Sequence, residues 1–140
     1  MSNEQSQYGV TLLRVSLGIL FLAHGLLKLI VFTPAGTVGF FESLGLPGVF
    51  AYAVMFGEIF GGLALIAGAY TRLAAAALFP IALGATYFHL GAGWVFSNEG
   101  GGWEFPLFLA VTTAVQFLLG SGPLALRLPQ IPHLPRVLQA

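Results

Sequence analysis

Apolar residues dominate four long stretches of the chain, which cover roughly residues 10–32, 49–70, 72–96 and 103–120. Each stretch is close to the ~20 residues that a transmembrane helix requires. The stretches are rich in Gly and Ala, and they lack the alternation over ~10 residues that is typical of membrane β-strands. The pattern therefore predicts an all-α integral membrane protein folded as an antiparallel four-helix transmembrane bundle.

The loop between the first two stretches, TPAGTVGFFESLGLPG, predicts a short helix on the outer side of the membrane. Thr33 can serve as its N-cap and Pro34 as its first helical residue, while Gly45 follows its last turn. We expect Glu42 to face water. The apolar face of this helix would consist of Val38, Phe40, Phe41 and Leu44.

Composition supports a membrane location, because 57% of the residues are hydrophobic and only 7% are charged. A soluble domain carries about a quarter charged residues. The net charge of zero gives no reason to expect a nucleic-acid partner. The absence of cysteine excludes disulfides, thiolate catalysis and thiolate metal sites. Redox chemistry would therefore need a bound cofactor or a redox-active substrate.

Basic residues indicate the orientation. Arg72 lies between the second and third stretches, and Arg127 and Arg136 follow the fourth. The positive-inside rule then places both termini in the cytoplasm. The first stretch has no basic leader and is too long for a cleaved signal peptide, so we expect it to be retained. We predict one membrane domain over residues 1–128 and a cytoplasmic tail over residues 129–140.

Polar residues recur at similar depths in three of the predicted spans. At a rise of ~1.5 Å per residue, His24, Glu58 and His89 lie about 12, 13 and 10 Å below the outer ends of their helices. Lys28 and Glu104 lie in the layer above. Antiparallel packing would therefore bring these side chains together in the outer half of the membrane.

Most of these residues also have an ordinary explanation. Lys28 and Arg14 can extend along their stems to the interface, and a lone histidine can bond a neighbouring helix. Glu104 can interact with a helix dipole. Glu58 is different, because a carboxylate in the middle of a membrane helix requires a cation or a proton. The sequence therefore predicts a buried polar cluster around Glu58.

Two imidazoles, one ammonium group and two carboxylates can hold and exchange protons. This set suits a quinone headgroup, and it also suits a proton path or another polar ligand. Two imidazoles and one carboxylate match the ligands of a non-haem iron site as well. We expect no metal, since no helix carries a paired Glu-x-x-His motif.

Several segments of the chain together form a family pattern. They are RVSLGILFLAHGLLKL, the loop FFESLGLPG, and GEIFGGLALIAGAYTRLAA in the second span. The Trp103-Glu104 start of the fourth span and the closing GSGP belong to the same set. With these segments, the chain resembles the DoxX family of small four-span bacterial membrane proteins. The resemblance covers roughly residues 10–128.

The resemblance implies a four-helix bundle in the bacterial inner (plasma) membrane and a link to respiratory redox chemistry. Named members are associated with a quinol oxidase complex and with thiosulfate:quinone oxidoreductase. Thiosulfate oxidation by this chain alone is not expected, because it has no cysteine to hold a sulfur intermediate. The family's polar positions correspond to His24, Lys28, Glu58, Arg72 and Glu104, and His89 resembles a histidine near the end of the third helix.

The leading hypothesis is a quinone-linked redox protein or subunit with an outer-leaflet pocket. His24 and Glu58 would handle protons, and Lys28 would stabilise negative charge on the reduced oxygen. Ligand-binding roles are predicted for His89, Glu104 and Arg72. The predicted partners are membrane lipid, a quinone or other small redox-active molecule, and oxidoreductase subunits or a second copy of the chain.

Two alternatives remain open from the sequence. One is a non-enzymatic scaffold or assembly partner of an oxidoreductase complex. Its interaction surface would be a small-residue seam on the second span, made of Gly57, Gly61, Ala64 and Gly68. The other alternative is a small transporter or proton path, in which Arg14 would provide a second polar step below the cluster.

Overall fold

The chain folds into helices joined by short loops. The computed structural model describes residues 3–139, so residues 1 and 2 of the predicted domain and residue 140 of the predicted tail lie outside it. No strand occurs in this described range. The α-helices are α1 (Asn3–Leu26), α2 (Thr33–Ser43), α3 (Val49–Ala67), α4 (Thr71–His89) and α5 (Glu104–Leu119). A π-helical segment (Leu27–Val31) extends α1, and 3-10 turns cover Leu90–Ala92 and Arg136–Gln139.

Three helical segments are long and apolar enough to cross a membrane, namely Asn3–Val31, Val49–Ala67 and Thr71–Ala92. The structure thus confirms an all-α membrane protein. Helix α5 is apolar but has only 16 residues, which corresponds to about 24 Å at ~1.5 Å per residue. That length is shorter than the ~30 Å of a hydrocarbon core. The predicted fourth full span is therefore a shorter helix.

Helix ends differ from the predicted spans for local reasons. Helix α1 begins at Asn3 rather than near residue 10, because polar residues continue a helix beyond the apolar stretch. Helix α3 ends at Ala67, where Gly68 adopts a left-handed conformation with a φ of 73°. Glycine tolerates this conformation without steric cost and commonly terminates helices.

The loop helix α2 confirms the prediction for TPAGTVGFFESLGLPG. Thr33 Oγ1 accepts a hydrogen bond from the Gly36 amide at 3.3 Å, as an N-cap side chain does. Gly45 follows the helix with a φ of 82°. Glu42 is exposed, as expected, and on the predicted apolar face Val38, Phe41 and Leu44 are half-buried while Phe40 beside them is exposed.

The bundle is assembled from helix pairs. Helix α1 packs along α3 and α4 packs along α5, while α3–α4 and α1–α5 contacts join the two pairs. Large apolar side chains such as Ile19, Phe60 and Leu118 stay exposed on the outside, where lipid can contact them. The buried core between the helices consists of Leu17, Phe21, Leu65, Ala74, Leu78, Ala82, Leu109 and Ala110.

Glycines bring α1 and α3 into backbone contact. A Cβ at Gly18 would lie 2.8 Å from the Gly62 carbonyl oxygen, and a Cβ at Gly62 would lie 2.6 Å from the Leu22 amide nitrogen. The predicted seam runs along a different line of α3. Gly57 and Gly61 face the α4 side chains of Ile81 and Leu78. These two glycines are therefore used within the chain rather than as a free surface.

Replacing Gly18 by Ala is expected to lower the free energy of unfolding by about 1–3 kcal/mol, because the added methyl group forces two packed backbones apart. Gly9 provides a matched control on the same helix, since a Cβ there would meet nothing within 4 Å. Gly9→Ala should be neutral or stabilising by up to about 1 kcal/mol. Thermal unfolding in detergent measures both effects, and equal Tm values for the two variants would contradict the close approach.

Arg14 is buried at the end of the bundle that carries both chain termini, which we call the terminal end. Its side chain is only 1% exposed. It donates hydrogen bonds to the carbonyls of Leu65 and Ile66, in the last turn of α3, at 2.6 and 2.9 Å. It also donates to the carbonyls of Ser121 and Leu124 at 2.9 and 3.2 Å. Arg14 therefore holds α1, α3 and the segment after α5 together instead of extending to the interface.

Candidate functional site

A cavity of about 1610 Å³ opens at the end of the bundle opposite the termini. We call it the main cavity. Helices α1, α3, α4 and α5 supply its walls, and residues from α2 and from the loop after α4 lie around it. Five of the predicted site residues line it, namely His24, Lys28, Glu58, His89 and Glu104. The depths estimated by counting residues from the outer helix ends thus predicted which residues share this cavity.

An ion pair between α1 and α3 is the central polar contact of the main cavity. Lys28 Nζ lies 2.7 Å from Glu58 Oε2, and the two side chains are 19% and 7% exposed. The Lys28 ammonium also approaches the His24 carbonyl oxygen at 3.5 Å. A carboxylate buried in an apolar helix needs such a cation. The pairing partner of Glu58 is therefore Lys28, and no hydrogen bond joins Glu58 to His24 within residues 3–139.

Lys28 lies in the π-helical segment Leu27–Val31. The Phe32 amide donates to the Leu27 carbonyl oxygen at 3.0 Å, five residues back, which is the hydrogen-bond spacing of a π-helix. Thr37, buried in α2, donates from Oγ1 to the carbonyls of Lys28 and Thr33 at 3.1 and 2.9 Å. Short π-helical turns are frequent at functional sites. Helix α2 thus braces the turn that carries Lys28.

The two histidines of the main cavity are held in the same way. His24 Nδ1 lies 2.7 Å from the Leu20 carbonyl oxygen, and His89 Nδ1 lies 2.6 Å from the Ala85 carbonyl oxygen. A carbonyl can only accept, so each Nδ1 must carry the proton and donate it. In the neutral imidazole the Nε2 atom then presents a lone pair. Both rings therefore offer the main cavity an acceptor when neutral and a donor when protonated.

Aromatic side chains position the polar groups. The His24 ring stacks on Phe105 of α5, with ring centroids 5.9 Å apart and planes 20° apart. Trp94 lines the main cavity and packs edge-on against Trp103 at 4.5 Å. Neither role was predicted from the sequence, although the Trp-Glu-Phe run at the start of the fourth stretch places an aromatic residue beside Glu104.

Glu104 closes the loop between α4 and α5. Its Oε1 accepts a hydrogen bond from the Phe96 amide at 3.1 Å, and its own amide donates to the Trp94 carbonyl oxygen at 3.2 Å. The loop also runs close to His89, because a Cβ at Gly101 would lie 3.2 Å from His89 Cδ2. Glu104 therefore shapes the rim of the main cavity.

Arg72 is placed away from these residues. It begins α4 at the terminal end, where Nε donates to the Phe117 carbonyl oxygen at 2.9 Å and one terminal nitrogen donates to the Leu118 carbonyl oxygen at 3.2 Å. These carbonyls belong to the last turn of α5, which lacks helical donors. Arg72 does not line the main cavity, so its predicted ligand-binding role concerns a different place from the other five residues.

This geometry bears on two of the possibilities raised by the sequence, a non-haem iron site and a proton path. Within the described chain, no three His, Asp or Glu side chains come together as a metal-ligand set. The imidazoles and carboxylate thus share a cavity without converging on one point. Between the main cavity and Arg14 lie buried apolar residues, Leu17, Leu65 and Leu78. A proton path along the bundle would have to cross this apolar layer.

Comparison with known proteins agrees with the architecture. A Bacillus subtilis (strain 168) protein named "Putative oxidoreductase CatD" is 41% identical over 71 residues, which are 51% of this chain and 52% of that relative. The matched region thus spans about half the length of each protein. No solved structure matches the chain. The family model for DoxX matches residues 9–91, more than half of the chain and the part that contains His24, Lys28, Glu58 and His89. The chain belongs to the DoxX family.

Proposed function

We propose that this protein is a quinone-linked membrane redox protein or subunit, with the main cavity as the binding site for the quinone headgroup. The observation that carries the proposal is the buried Lys28–Glu58 ion pair in the wall of a large, mostly apolar cavity. A buried pair costs desolvation energy, and it is weak evidence for stability alone. It shares the cavity with two oriented imidazoles, which gives it a use in binding.

The residues present fit a quinone or quinol headgroup. Lys28 has three N–H donors. Glu58 occupies one of them at 2.7 Å and the His24 carbonyl oxygen a second at 3.5 Å, so the ammonium group retains one donor for a carbonyl oxygen. The Nε2 atoms of His24 and His89 can accept from quinol hydroxyls or, when protonated, donate to quinone carbonyls. A bound quinone supplies a two-electron acceptor that takes up two protons. The chain's residues would orient the headgroup and hold the two protons at two of three positions, which are the two Nε2 atoms and the Glu58 carboxylate.

The apolar lining suits the rest of such a ligand. Phe50, Phe88 and Phe108 line the main cavity, and each is exposed over more than a third of its surface. The cavity is therefore not sealed by side chains, and a hydrophobic molecule could enter from the membrane. The cavity volume of about 1610 Å³ exceeds the ~300–1000 Å³ that is typical of ligand pockets. A headgroup therefore fits, and the additional space could hold part of an isoprenoid tail.

The relative named as an oxidoreductase supports a redox role for the family region that both chains share. Electrons would come from a donor on another subunit or a second copy of the chain. We further propose the bacterial inner membrane as the location, with both termini in the cytoplasm, because Arg72, Arg127 and Arg136 lie at the terminal end. The main cavity would then lie in the outer leaflet.

Quinone binding is expected to quench the intrinsic fluorescence of the protein, because Trp94 lines the main cavity. The double variant His24→Phe/His89→Phe keeps aromatic rings but loses both Nε2 atoms. Because neutral imidazoles accept rather than donate, the variant should weaken binding of a short-chain quinol by about 5- to 10-fold per lost hydrogen bond and affect the oxidised quinone less. Titration of the protein in nanodiscs with each redox form measures this difference.

The third histidine, His133, provides the control, because it lies in the tail and does not line the main cavity. His133 has a φ of 70°, so Asn is the suitable replacement, as it tolerates the left-handed region. His133→Asn should bind both forms like the original protein. If neither quinone nor quinol quenches the original protein at membrane-like concentrations, the proposed function is wrong.

A further inference from the structure

A second hollow, of about 540 Å³, lies at the terminal end of the bundle. We call it the arginine hollow. It is lined by Arg72 from the start of α4 and by Arg127 and Arg136 from the segment after α5. These are three of the five Lys and Arg residues of a chain whose net charge is zero. Their concentration around one hollow requires a physical explanation.

The hollow is formed by a tail that folds back onto the bundle. The Leu126 amide donates to the Ala67 carbonyl oxygen at 2.9 Å, and Tyr70 Oη donates to the Pro129 carbonyl oxygen at 2.6 Å. Farther along, Gln139 Oε1 accepts from the Ile131 amide at 2.7 Å. These contacts tie the tail to the α3–α4 turn and tie its last turn to the preceding segment. The tail therefore forms one wall of the hollow.

The positive charges of the hollow have no carboxylate partner in the described part of the chain. Arg127 and Arg136 form no ion pair there, and Glu58 is paired with Lys28 at the opposite end. None of the five Glu residues lines the hollow. Arg72 gives two of its nitrogens to α5 carbonyls, which leaves its second terminal nitrogen for another acceptor. Within residues 3–139, no carboxylate therefore balances this local charge.

We propose that the arginine hollow binds a phosphate-type oxyanion at the membrane surface, either the headgroup phosphate of an anionic phospholipid or a free phosphate. The planar guanidinium fork matches the geometry of phosphate oxygens. The side-chain amide of Gln130 also lines the hollow and can add a hydrogen bond, whereas the hydroxyls of Tyr70 and Ser121 already donate to the Pro129 carbonyl oxygen and to Thr71 Oγ1. Its place at the end of an apolar bundle is where lipid headgroups lie, and basic residues there attract anionic lipids. This site is separate from the main cavity and does not depend on the proposed function.

Native mass spectrometry of the delipidated full chain in detergent tests the proposal. Added phosphatidylglycerol should give a retained one-to-one adduct, and phosphatidylcholine at the same concentration should give less. The variant Arg127→Gln/Arg136→Gln is expected to lower the apparent affinity for phosphatidylglycerol by at least about tenfold, because it removes two charged donors. Arg127→Lys/Arg136→Lys should retain part of the binding, since the charge stays while the planar fork is lost.

A charge-matched control separates local contacts from overall charge. The variant Gln7→Glu/Ser97→Asp lowers the net charge by the same amount at two exposed positions outside the hollow, and it should bind like the original protein. If inorganic phosphate raises the Tm of the original protein but not of the Gln variant, and phosphatidylglycerol does not bind, the site takes a free phosphate. The proposal is overturned if neither probe binds, or if the Gln variant binds phosphatidylglycerol as tightly as the control.

Discussion

Replacing Glu58 by Gln is expected to lower the free energy of unfolding by about 3–5 kcal/mol, because the Lys28 ammonium would lose its partner in a low-dielectric site. The two side chains are 19% and 7% exposed, and their charged atoms are 2.7 Å apart. For a protein of this size the loss corresponds to a fall in Tm of about 10 °C or more. Quinone affinity should fall as well, since the Glu58 carboxylate would no longer hold the Lys28 ammonium in position for a quinone carbonyl.

The double variant Lys28→Met/Glu58→Gln separates stability from binding. Removing both charges should restore much of the stability, because replacing a buried ion pair by neutral groups is often close to neutral in energy. It should not restore quinone binding, because the ammonium donor of the site is then absent. Thermal unfolding and fluorescence titration of the single and double variants measure the two effects.

Glu99→Gln serves as the control for this pair, since Glu99 is exposed and does not line the main cavity. It should change neither Tm nor quinone affinity. Two results would contradict the assignment. One is a Glu58→Gln protein with the Tm and quinone affinity of the control, and the other is a double variant that binds quinone normally.

Replacing Arg14 by Met is expected to prevent accumulation of folded protein or to lower its Tm by more than 10 °C, because each buried carbonyl left without a donor costs about 1–3 kcal/mol. The guanidinium group donates to four carbonyl oxygens, those of Leu65, Ile66, Ser121 and Leu124. Lipid offers no replacement donors. Size-exclusion chromatography of a fluorescent fusion, followed by thermal unfolding, measures the loss.

Arg14→Lys keeps the prediction testable where the Met variant does not fold. A lysine retains the charge but has three donors at one point rather than five in a planar fork, so it should give a folded protein of intermediate Tm. Arg127→Gln, at an exposed position, should have a Tm close to that of the original protein. An Arg14→Met protein that unfolds at the temperature of the Arg127→Gln protein would show that the four contacts do not stabilise the fold.

The main cavity illustrates how far depth along a helix can be read from a sequence. Counting residues from the span ends placed His24, Glu58 and His89 in one layer, and all three line the cavity. The same count put Lys28 in a different layer from Glu58, whereas a lysine stem is long enough to reach down to that carboxylate at 2.7 Å. Depth is a local quantity, but contact also depends on side-chain reach and on the rotation of each helix.

For Arg14 and Arg72, two cations near helix ends, the sequence did not reveal which groups the side chains contact. Extension to the interface was a sufficient sequence explanation for Arg14, and family resemblance placed Arg72 among the ligand-binding residues. Arg14 instead donates to backbone carbonyls at the C-terminus of α3. Arg72 donates to those at the C-terminus of α5, and its ligand-binding role stays a prediction. No sequence pattern marks these contacts, because each carbonyl belongs to a segment more than 40 residues away along the chain.

By itself, the sequence determined the membrane location, the positions of the helices, the loop helix α2 and the level at which the polar residues lie. Hydropathy, helix caps and rise per residue depend only on residues that are close in sequence, so they can be predicted without knowing which helices pack together. Only the tertiary structure decided that Lys28 pairs with Glu58, that α1 widens into a π-helical turn, and that three arginines surround one hollow. These features depend on how helices rotate and approach, which backbone contacts such as Gly18 against Gly62 set, and on where the tail returns to the bundle.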